Sequence, residues 1–359
     1  MRLLVLGGTR FLGRAVVDAA LARGWQVTTL TRGESGAPPA GVQALTGDRT
    51  TAAGLAALDG GEWDVVVDTC GFVPRDVLAS ARALHGRVGH YVFVSTVSVF
   101  EDRPAFRITP QSPVHACEPD AGPEDGEYGE LKAGCERAVT SVFGDAATLV
   151  RAGILVGPHD NTVRLSWWLA RVARGGQVLA GGDPDDPVQV VDVRDLAAWM
   201  LHCGEHRIGG AFIADSAPES ATFGQLLGEC VAVTGSDARV AWVPDEFLLD
   251  QGIQPWTELP LWSPRSQAPH TWDVDSSQAA AAGLVTRPLA ETVADTWAWM
   301  RSVGVAEAVG SRPGFGVDPA RESAVLASWL GRYPAGMAER DELLSLIRDL
   351  AVVRGKVTL

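Results

Sequence analysis

The 359-residue chain contains only two lysines, and its five cysteines stand far apart without a Cys-x-x-Cys pair. Zinc sites and disulfide frameworks place cysteines at short, regular spacings, so the sequence predicts no metal site and a reducing compartment. No apolar run reaches the roughly 20 residues of a membrane-spanning helix, and the N-terminal apolar stretch is too short for a secretory signal. We therefore expect a cytoplasmic protein with no membrane partner.

Positive charge is also scarce, because 30 Lys and Arg residues face 44 Asp and Glu residues and give a net charge of -14. An acidic surface repels the phosphates of DNA and RNA, so nucleic acid is an unlikely partner and a small-molecule substrate is expected. Hydrophobic residues make up 46% and charged residues 21% of the chain, which is typical of a globular protein with a sizeable core.

Short β-branched runs alternate with amphipathic helical stretches in the first half of the chain. The predicted strands are Leu3–Leu6, Gln26–Thr31, Val42–Leu45, Asp64–Asp68, Tyr91–Ser95 and Thr148–Arg151, and the predicted helices are Leu12–Arg23, Val73–Leu84 and Tyr128–Phe143. This alternation is typical of parallel strands covered by helices on both faces. The predicted fold class is α/β, a Rossmann-type doubly wound parallel sheet with a smaller C-terminal substrate lobe.

The same patterns divide the chain into three predicted regions. Residues 1–152 form a dinucleotide-binding core that includes the helix of the catalytic candidates. Residues 153–310, where the pattern loosens, form a substrate-binding lobe with some segments returning to the core. Residues 311–359 form a helical tail, in which helices are predicted from Arg321 onward and over Glu339–Val353. The apolar spacing of the second helix favours packing or dimerisation over a catalytic role.

A glycine-rich segment, Gly7-Gly8-Thr9-Arg10-Phe11-Leu12-Gly13, follows the first predicted strand and opens a predicted helix. Glycines let the backbone approach a pyrophosphate, and the helix N-terminus offers free N–H groups to its charge. We therefore expect a dinucleotide to bind here. The candidate contacts are Gly7, Thr9, Arg10, Phe11, Leu12 and Gly13.

The end of the second predicted strand decides between the two nicotinamide dinucleotides. NAD sites carry a carboxylate there for the ribose 2′-hydroxyl, whereas this chain has Arg32. An arginine can stack on the adenine and pair with a 2′-phosphate, with Arg10 assisting. Asp48, after the third strand, is a candidate for the adenine amine or an ordinary turn residue. The sequence favours NADP(H) as cofactor, with NAD(H) as the alternative.

Tyr128 and Lys132 lie four residues apart in a predicted helix and so share one face. A cation beside a phenol lowers its pKa, which would let the tyrosine exchange a proton with a substrate oxygen. Thr96, at the end of the fifth predicted strand, is a candidate to hold that oxygen. Ser95 and Ser98 are rivals because neighbouring strand residues point to opposite faces. Ser95 and Lys132 are also candidate cofactor contacts.

Together these features resemble the extended, or atypical, short-chain dehydrogenase/reductase superfamily, the NAD-dependent epimerase/dehydratase group, over residues 1–300. Further matching segments are Asp68-Thr69-Cys70-Gly71, Arg151 with Val156-Gly157-Pro158, and Val190–Ala197. The resemblance implies that Tyr128 is the acid/base, that Lys132 also holds the nicotinamide ribose and that Thr96 orients the reacting oxygen. It further implies a homodimer built through two helices of the dinucleotide-binding domain.

The chain also departs from the pattern of this family. Arg10 replaces the middle glycine of the usual turn, and Val97-Ser98 stands where sugar dehydratases carry an Asp-Glu pair. The asparagine that usually precedes the Gly-Pro segment is missing. These departures favour reduction of a C=O or C=N group. Two alternatives remain, an epimerase of a sugar-like substrate and a non-catalytic NADP(H)-sensing or RNA-binding protein, which the acidic charge and the Tyr/Lys pair disfavour.

Overall fold

One parallel sheet of seven strands organises the computed structural model, which describes residues 1–332 except 35, 37, 38, 102, 103 and 311–313. The strands of the described chain are β1 (Arg2–Leu6), β2 (Gln26–Thr31), β3 (Val42–Thr46), β4 (Trp63–Asp68), β5 (Val88–Thr96), β6 (Ala147–Ala152), β7 (Leu155–Val156), β8 (Gln177–Gly181), β9 (Val191–Asp192), β10 (Gly210–Ala214) and β11 (Arg239–Val243). The large sheet has the order β3-β2-β1-β4-β5-β6-β10. Its strand order reverses between β1 and β4, where ligands of such sheets bind.

Helices cover both faces of this sheet, which explains why strands such as β1 are apolar along their whole length. The helices of the described chain are α1 (Phe11–Ala22), α2 (Ala52–Leu55), α3 (Pro74–Leu84), α4 (Tyr128–Phe143), α5 (Arg164–Ala173), α6 (Val193–His206), α7 (Phe223–Thr234), α8 (Asp245–Asp250), α9 (Ser277–Ala281), α10 (Leu289–Val303), α11 (Val305–Val309) and α12 (Pro319–Leu330). Helices α1 and α6 pack on one face, and α3 and α4 pack on the other. The predicted Rossmann-type, doubly wound fold class is confirmed.

Strand β10 was not predicted from the sequence. Its five residues begin at a glycine, and only their pairing with a neighbouring strand identifies them as a strand. Gly210–Ala214 pairs in parallel with Thr148–Ala152 of β6 and completes the sheet. The chain therefore leaves the sheet after β6 and returns to it after β9 and α6. Strand β5 also starts earlier than predicted, at Val88, where it pairs with Trp63 of β4.

The remaining elements form a second core around a two-stranded parallel sheet of β8 and β11. Helices α5, α7 and α10 pack against one another there. Helix α12 joins this core through a buried ion pair between Arg171 and Glu322, at 2.7 Å. The helix predicted from Arg321 corresponds to α12, whereas the stretch Glu339–Val353 lies outside the described residues. Among the described helices, none combines the length and the apolarity needed to cross a membrane.

Candidate active site

The glycine-rich turn between β1 and α1 adopts a conformation that other residues do not tolerate. Gly7 and Gly8 have φ angles of 104° and 106°, and a Cβ on Gly13 would lie 2.7 Å from the Gly8 nitrogen. Helix α1 begins after Arg10 without a side-chain cap. The turn therefore leaves backbone surface and N–H groups free to meet the phosphates of a dinucleotide.

A cleft of about 620 Å³ opens beside this turn, at the point where the strand order reverses. Eight of the predicted cofactor contacts line it: Gly7, Thr9, Arg10, Phe11, Leu12, Gly13, Arg32 and Asp48. The structure adds residues that the sequence analysis had not singled out as contacts, among them Phe72 and Asn161. Phe72 lies shortly after the C-terminal end of β4. Ligands of parallel sheets bind beyond the C-terminal ends of the strands, so the strand pattern could have indicated Phe72 as a cleft residue. Asn161 comes from the loop before α5, where no sequence pattern indicates a cofactor contact.

Arg32 follows β2, and Asp48 lies shortly after β3. The adenine of a bound dinucleotide is expected at this end of the cleft. The exposed Arg32 guanidinium is 3.1 Å from the Glu34 carboxylate. Asp48 accepts hydrogen bonds from the backbone N–H and the hydroxyl of Thr50, at 3.0 and 2.8 Å. These bonds, and to a lesser degree the charge of Arg32, lower the pKa of the Asp48 carboxyl. Asp48 thus occupies a turn and also faces the cleft.

A buried ion pair forms part of the cleft near the end of β4, and the sequence analysis missed its cation. Arg49 donates to both carboxylate oxygens of Asp68, at 2.6 and 2.8 Å, and Tyr91 donates to the same carboxylate at 2.8 Å. Burial opposes ionisation of Asp68, but its partners, led by Arg49, keep the pKa of the carboxyl below its usual value. Because Asp68 is fully buried, this pair braces the cleft rather than offering a free charge.

Two of the three catalytic candidates, Tyr128 and Thr96, influence each other in the structure. Tyr128 is the first residue of α4, which a capping box formed by Glu127 and Glu130 fixes in place. Its phenol lies near enough to the side chain of Thr96, the last residue of β5, for that side chain to influence the pKa of the phenol. Tyr128 is 52% exposed, so a substrate can reach it. Partial burial nevertheless raises the pKa of the phenol, and the Thr96 side chain and the charge of Arg164 oppose this rise.

The third candidate, Lys132, behaves differently from the sequence expectation. Its ammonium group is 3% exposed and donates to the backbone oxygens of Gly71, at 2.7 Å, and Val94, at 2.5 Å. Burial lowers the pKa of Lys132 to about 8. The positive charge that lowers the Tyr128 pKa belongs to Arg164 at the start of α5, not to Lys132. Helical spacing predicts a shared face for Tyr128 and Lys132, but it does not reveal that two carbonyl groups hold the ammonium.

Ser95 requires a second correction. Its hydroxyl donates to the Glu136 carboxylate at 2.6 Å, and Glu136 pairs with Arg151 at 2.8 Å. Because residues alternate along a strand, Ser95 faces the interior between β5 and α4 while Thr96 faces Tyr128. The structure therefore does not support a cofactor contact through the Ser95 side chain. Ser98, the other rival, hydrogen-bonds to Thr96 instead.

Comparisons with known proteins agree with this architecture. Residues 64–212 match the NAD dependent epimerase/dehydratase family. A ceramide reductase from Caulobacter vibrioides is 23% identical over 273 residues, which cover 71% of this chain and 78% of that protein. The UDP-glucose 4-epimerase of Thermotoga maritima, solved with UDP-glucose, superposes with a TM-score of 0.63 at 18% identity, covering 84% of this chain and 99% of the epimerase. Bordetella bronchiseptica WbmH, solved with NAD+, gives 0.63 at 17% identity, with 84% and 99% covered.

The sheet order and the family match support an NAD(P)-dependent enzyme of the short-chain dehydrogenase/reductase type. The match of residues 64–212 and the fold are consistent with the NAD-dependent epimerase/dehydratase superfamily, which the sequence motifs predicted. These similarities therefore disfavour the alternative of a non-catalytic protein. The glycine cradle, in which an added Cβ would collide with backbone, fits a nicotinamide dinucleotide.

Proposed function

We propose that this enzyme uses NADPH to reduce a C=O or C=N group of a small molecule, with Tyr128 as the proton donor. The observation that carries the proposal is the exposed Tyr128 phenol at the start of α4, near Thr96 at the end of β5. The pair is open to solvent on the phenol side. A phenol whose pKa is raised stays protonated at neutral pH, which suits a group that must give a proton to a substrate oxygen or nitrogen.

In this mechanism the bound cofactor supplies a hydride to the substrate carbon. The Tyr128 phenol donates its proton to the substrate heteroatom as negative charge develops there. Thr96 donates a hydrogen bond that orients the heteroatom. The role of Lys132 follows from the family resemblance, in which its ammonium holds the nicotinamide ribose. The buried ammonium bonds to the backbone oxygens of Gly71 and Val94, and of these two residues Val94 lines the cleft.

Tyr128→Phe tests the catalytic assignment. Losing the phenol oxygen should lower the turnover of NADPH-dependent reduction by on the order of 100-fold or more, because no other group replaces the proton donor. NADPH affinity, followed by nicotinamide fluorescence, should remain nearly that of the wild type. Wild-type turnover in the variant would overturn the role of Tyr128.

We also propose NADP(H) rather than NAD(H) as the cofactor, because Arg10 and Arg32 both line the cleft. The Arg32–Glu34 pair is exposed, so it is weak and yields readily to a 2′-phosphate. Fluorescence titration with NADPH and NADH, for wild type and Arg32→Ala, tests this preference. Tighter NADPH binding that is lost in the variant supports it. Equal binding of NADH and NADPH by the wild type would refute it.

Epimerisation of a sugar-like substrate is the second candidate, and it is favoured by the similarity of the fold to UDP-glucose 4-epimerases. The name of the Caulobacter relative, a ceramide reductase, favours reduction instead. Val97-Ser98, in place of the Asp-Glu pair of sugar dehydratases, disfavours dehydration. The two reactions differ in stoichiometry, because reduction consumes one NADPH for each product formed. Product formation without net oxidation of NADPH would favour epimerisation.

A further inference from the structure

Two aromatic rings cover the Lys132 ammonium, in addition to the two carbonyl groups that accept its hydrogen bonds. The ammonium nitrogen lies 4.2 Å from the centre of the Phe93 ring and 5.6 Å from the centre of the Phe72 ring. At such distances the face of an aromatic ring attracts a cation. Lys132 is therefore held by two carbonyl oxygens, from Gly71 and Val94, and by two rings.

The two rings differ in their surroundings. Phe93 is fully buried in the core between the sheet and the helices α3 and α4, so its position is fixed. Phe72 is 56% exposed and lines the cofactor cleft, as Val94 does. Because the Phe72 ring contacts both the cleft and the ammonium, it separates the ammonium from the water of the cleft.

The backbone next to Phe72 is packed too closely for a side chain at the preceding residue. A Cβ on Gly71 would lie 2.6 Å from a carbon of the Phe93 ring and 2.7 Å from a methyl group of Val77. The Gly71 backbone can therefore approach the core, and its oxygen accepts from the Lys132 ammonium at 2.7 Å. The same close packing places the next side chain, Phe72, at the ammonium.

Without a barrier, the Lys132 ammonium would leave this position for the water of the cleft. An ammonium group is strongly hydrated, and the flexible stem of a lysine lets it extend toward solvent. The two carbonyl groups replace that hydration only in part, and burial lowers the pKa of Lys132 to about 8. Cys135, Asp68 and Glu136 favour the charged form. Arg49 opposes it, and the effect of burial exceeds that of these neighbours.

We propose that Phe72 is a positioning residue whose ring keeps the Lys132 ammonium between the oxygens of Gly71 and Val94 and away from the water of the cleft. An ammonium group has three N–H donors, and the two carbonyl groups use two of them. The third stays available for the nicotinamide ribose. The inference deepens the proposed function and rests on it for the identity of this ligand.

NMR titration of the cofactor-free protein with carbon-13-labelled lysine tests the proposal, since the chain has only two lysines. Phe72→Ala should raise the midpoint of Lys132, about 8 in the wild type, by roughly 1 or more, because an ammonium that reaches the cleft regains water. Loss of attraction to the ring acts in the opposite direction. An exposed cation–π contact changes a pKa by only about 0.5, so the net shift is upward.

Phe72→Leu and Phe106→Ala are the matched controls. Leucine keeps an apolar cover without an aromatic face, so the midpoint should stay within about 0.5 of the wild-type value. Phe106 is 63% exposed and is not one of the described residues that line the cleft, so Phe106→Ala should leave the midpoint unchanged.

NADPH affinity, followed by nicotinamide fluorescence, gives a second measurement on the same variants. The affinity should fall roughly 3- to 10-fold in Phe72→Ala and remain nearly that of the wild type in both controls. A mobile, hydrated ammonium loses part of its hydrogen bond to the ribose, and a full bond to a charged group contributes about 10- to 100-fold.

A Lys132 midpoint that stays near 8 or falls in Phe72→Ala would overturn the proposal. So would an equal rise in Phe72→Leu, which keeps the cover, or in Phe106→Ala, which lies elsewhere. A raised midpoint in Phe72→Ala alone, with unchanged NADPH affinity, would preserve the assignment of Phe72. That result would instead contradict the proposed role of Lys132 in binding the cofactor.

Discussion

Carbon-13-labelled lysine should give two sets of side-chain signals in the NMR spectrum of this protein, because the chain has only two lysines. Lys132→Met removes one set and so identifies it. We expect that set to titrate with a midpoint near pH 8, since burial lowers the pKa of Lys132 from 10.5 to about 8. Lys132 is nearly inaccessible to solvent, and the two hydrogen bonds described for its ammonium go to uncharged backbone oxygens. These bonds stabilise the charged form less than the water that burial removes, so the pKa falls.

The same shift links stability to pH. Between pH 8 and 10.5 the unfolded chain holds the proton on Lys132 more tightly than the folded protein does. The free energy of unfolding must therefore rise with pH in this window, and the penalty for burying the charge is fully present below pH 8. A shift of 2.5 units, from 10.5 to about 8, corresponds to about 3 kcal/mol.

Urea unfolding of wild type and Lys132→Met at pH 7 and pH 10.5 measures this linkage. Wild type should gain roughly 3 kcal/mol relative to the variant between the two pH values. The comparison with the variant cancels the titration of other groups. A stability difference that does not change with pH, together with a Lys132 midpoint above pH 10, would refute the reasoning about its burial.

Two other substitutions test the cradle and the second core. Gly13→Ala should weaken NADPH binding by about tenfold or more, because the added Cβ would lie 2.7 Å from the Gly8 nitrogen. A strain of roughly 1.4 kcal/mol is enough to lower the affinity tenfold. Gly228→Ala in α7, where a Cβ has open space, should leave NADPH fluorescence titrations unchanged. Glu322→Gln should lower the free energy of unfolding by about 3 kcal/mol, because it leaves Arg171 buried without a counter-charge. Glu258→Gln is the control, because the arginine partner of Glu258 is more exposed. It should lower the free energy of unfolding by less than about 1 kcal/mol in urea unfolding. Equal losses for the two glutamate variants would contradict the argument.

Six strands of the large sheet, β1 to β6, and the helices α1, α3 and α4 were predictable because each carries its own local signal. Strand β1 is apolar at four successive positions, which is typical of a strand covered on both faces. The cradle was predictable for a similar reason, since Gly7 and Gly13 meet steric demands that only glycine satisfies. Strand β10 lacks such a signal, because its position depends on pairing with a segment far away in the sequence.

The candidate site was predictable only in part, because sequence spacing describes neighbours along one element and not contacts between elements. The pair Tyr128 and Lys132 follows from helical geometry, but the direction of the ammonium depends on carbonyl groups of other segments. The Arg49–Asp68 pair joins two separate segments of the chain, and no periodicity connects them. The electrostatic effect of Arg164 on Tyr128 likewise joins two separate elements, α5 and α4.

The late return of the chain to its main sheet also has a consequence for biosynthesis. Strand β6 is buried and apolar, yet its outer edge has no partner until β10 has left the ribosome. Until then the nascent chain exposes a row of free N–H and C=O groups on an apolar strand, which readily pairs with other chains. Fragments that end before Gly210 should therefore aggregate during expression. The two halves of the enzyme are thus coupled from the moment of synthesis, well before any substrate is bound.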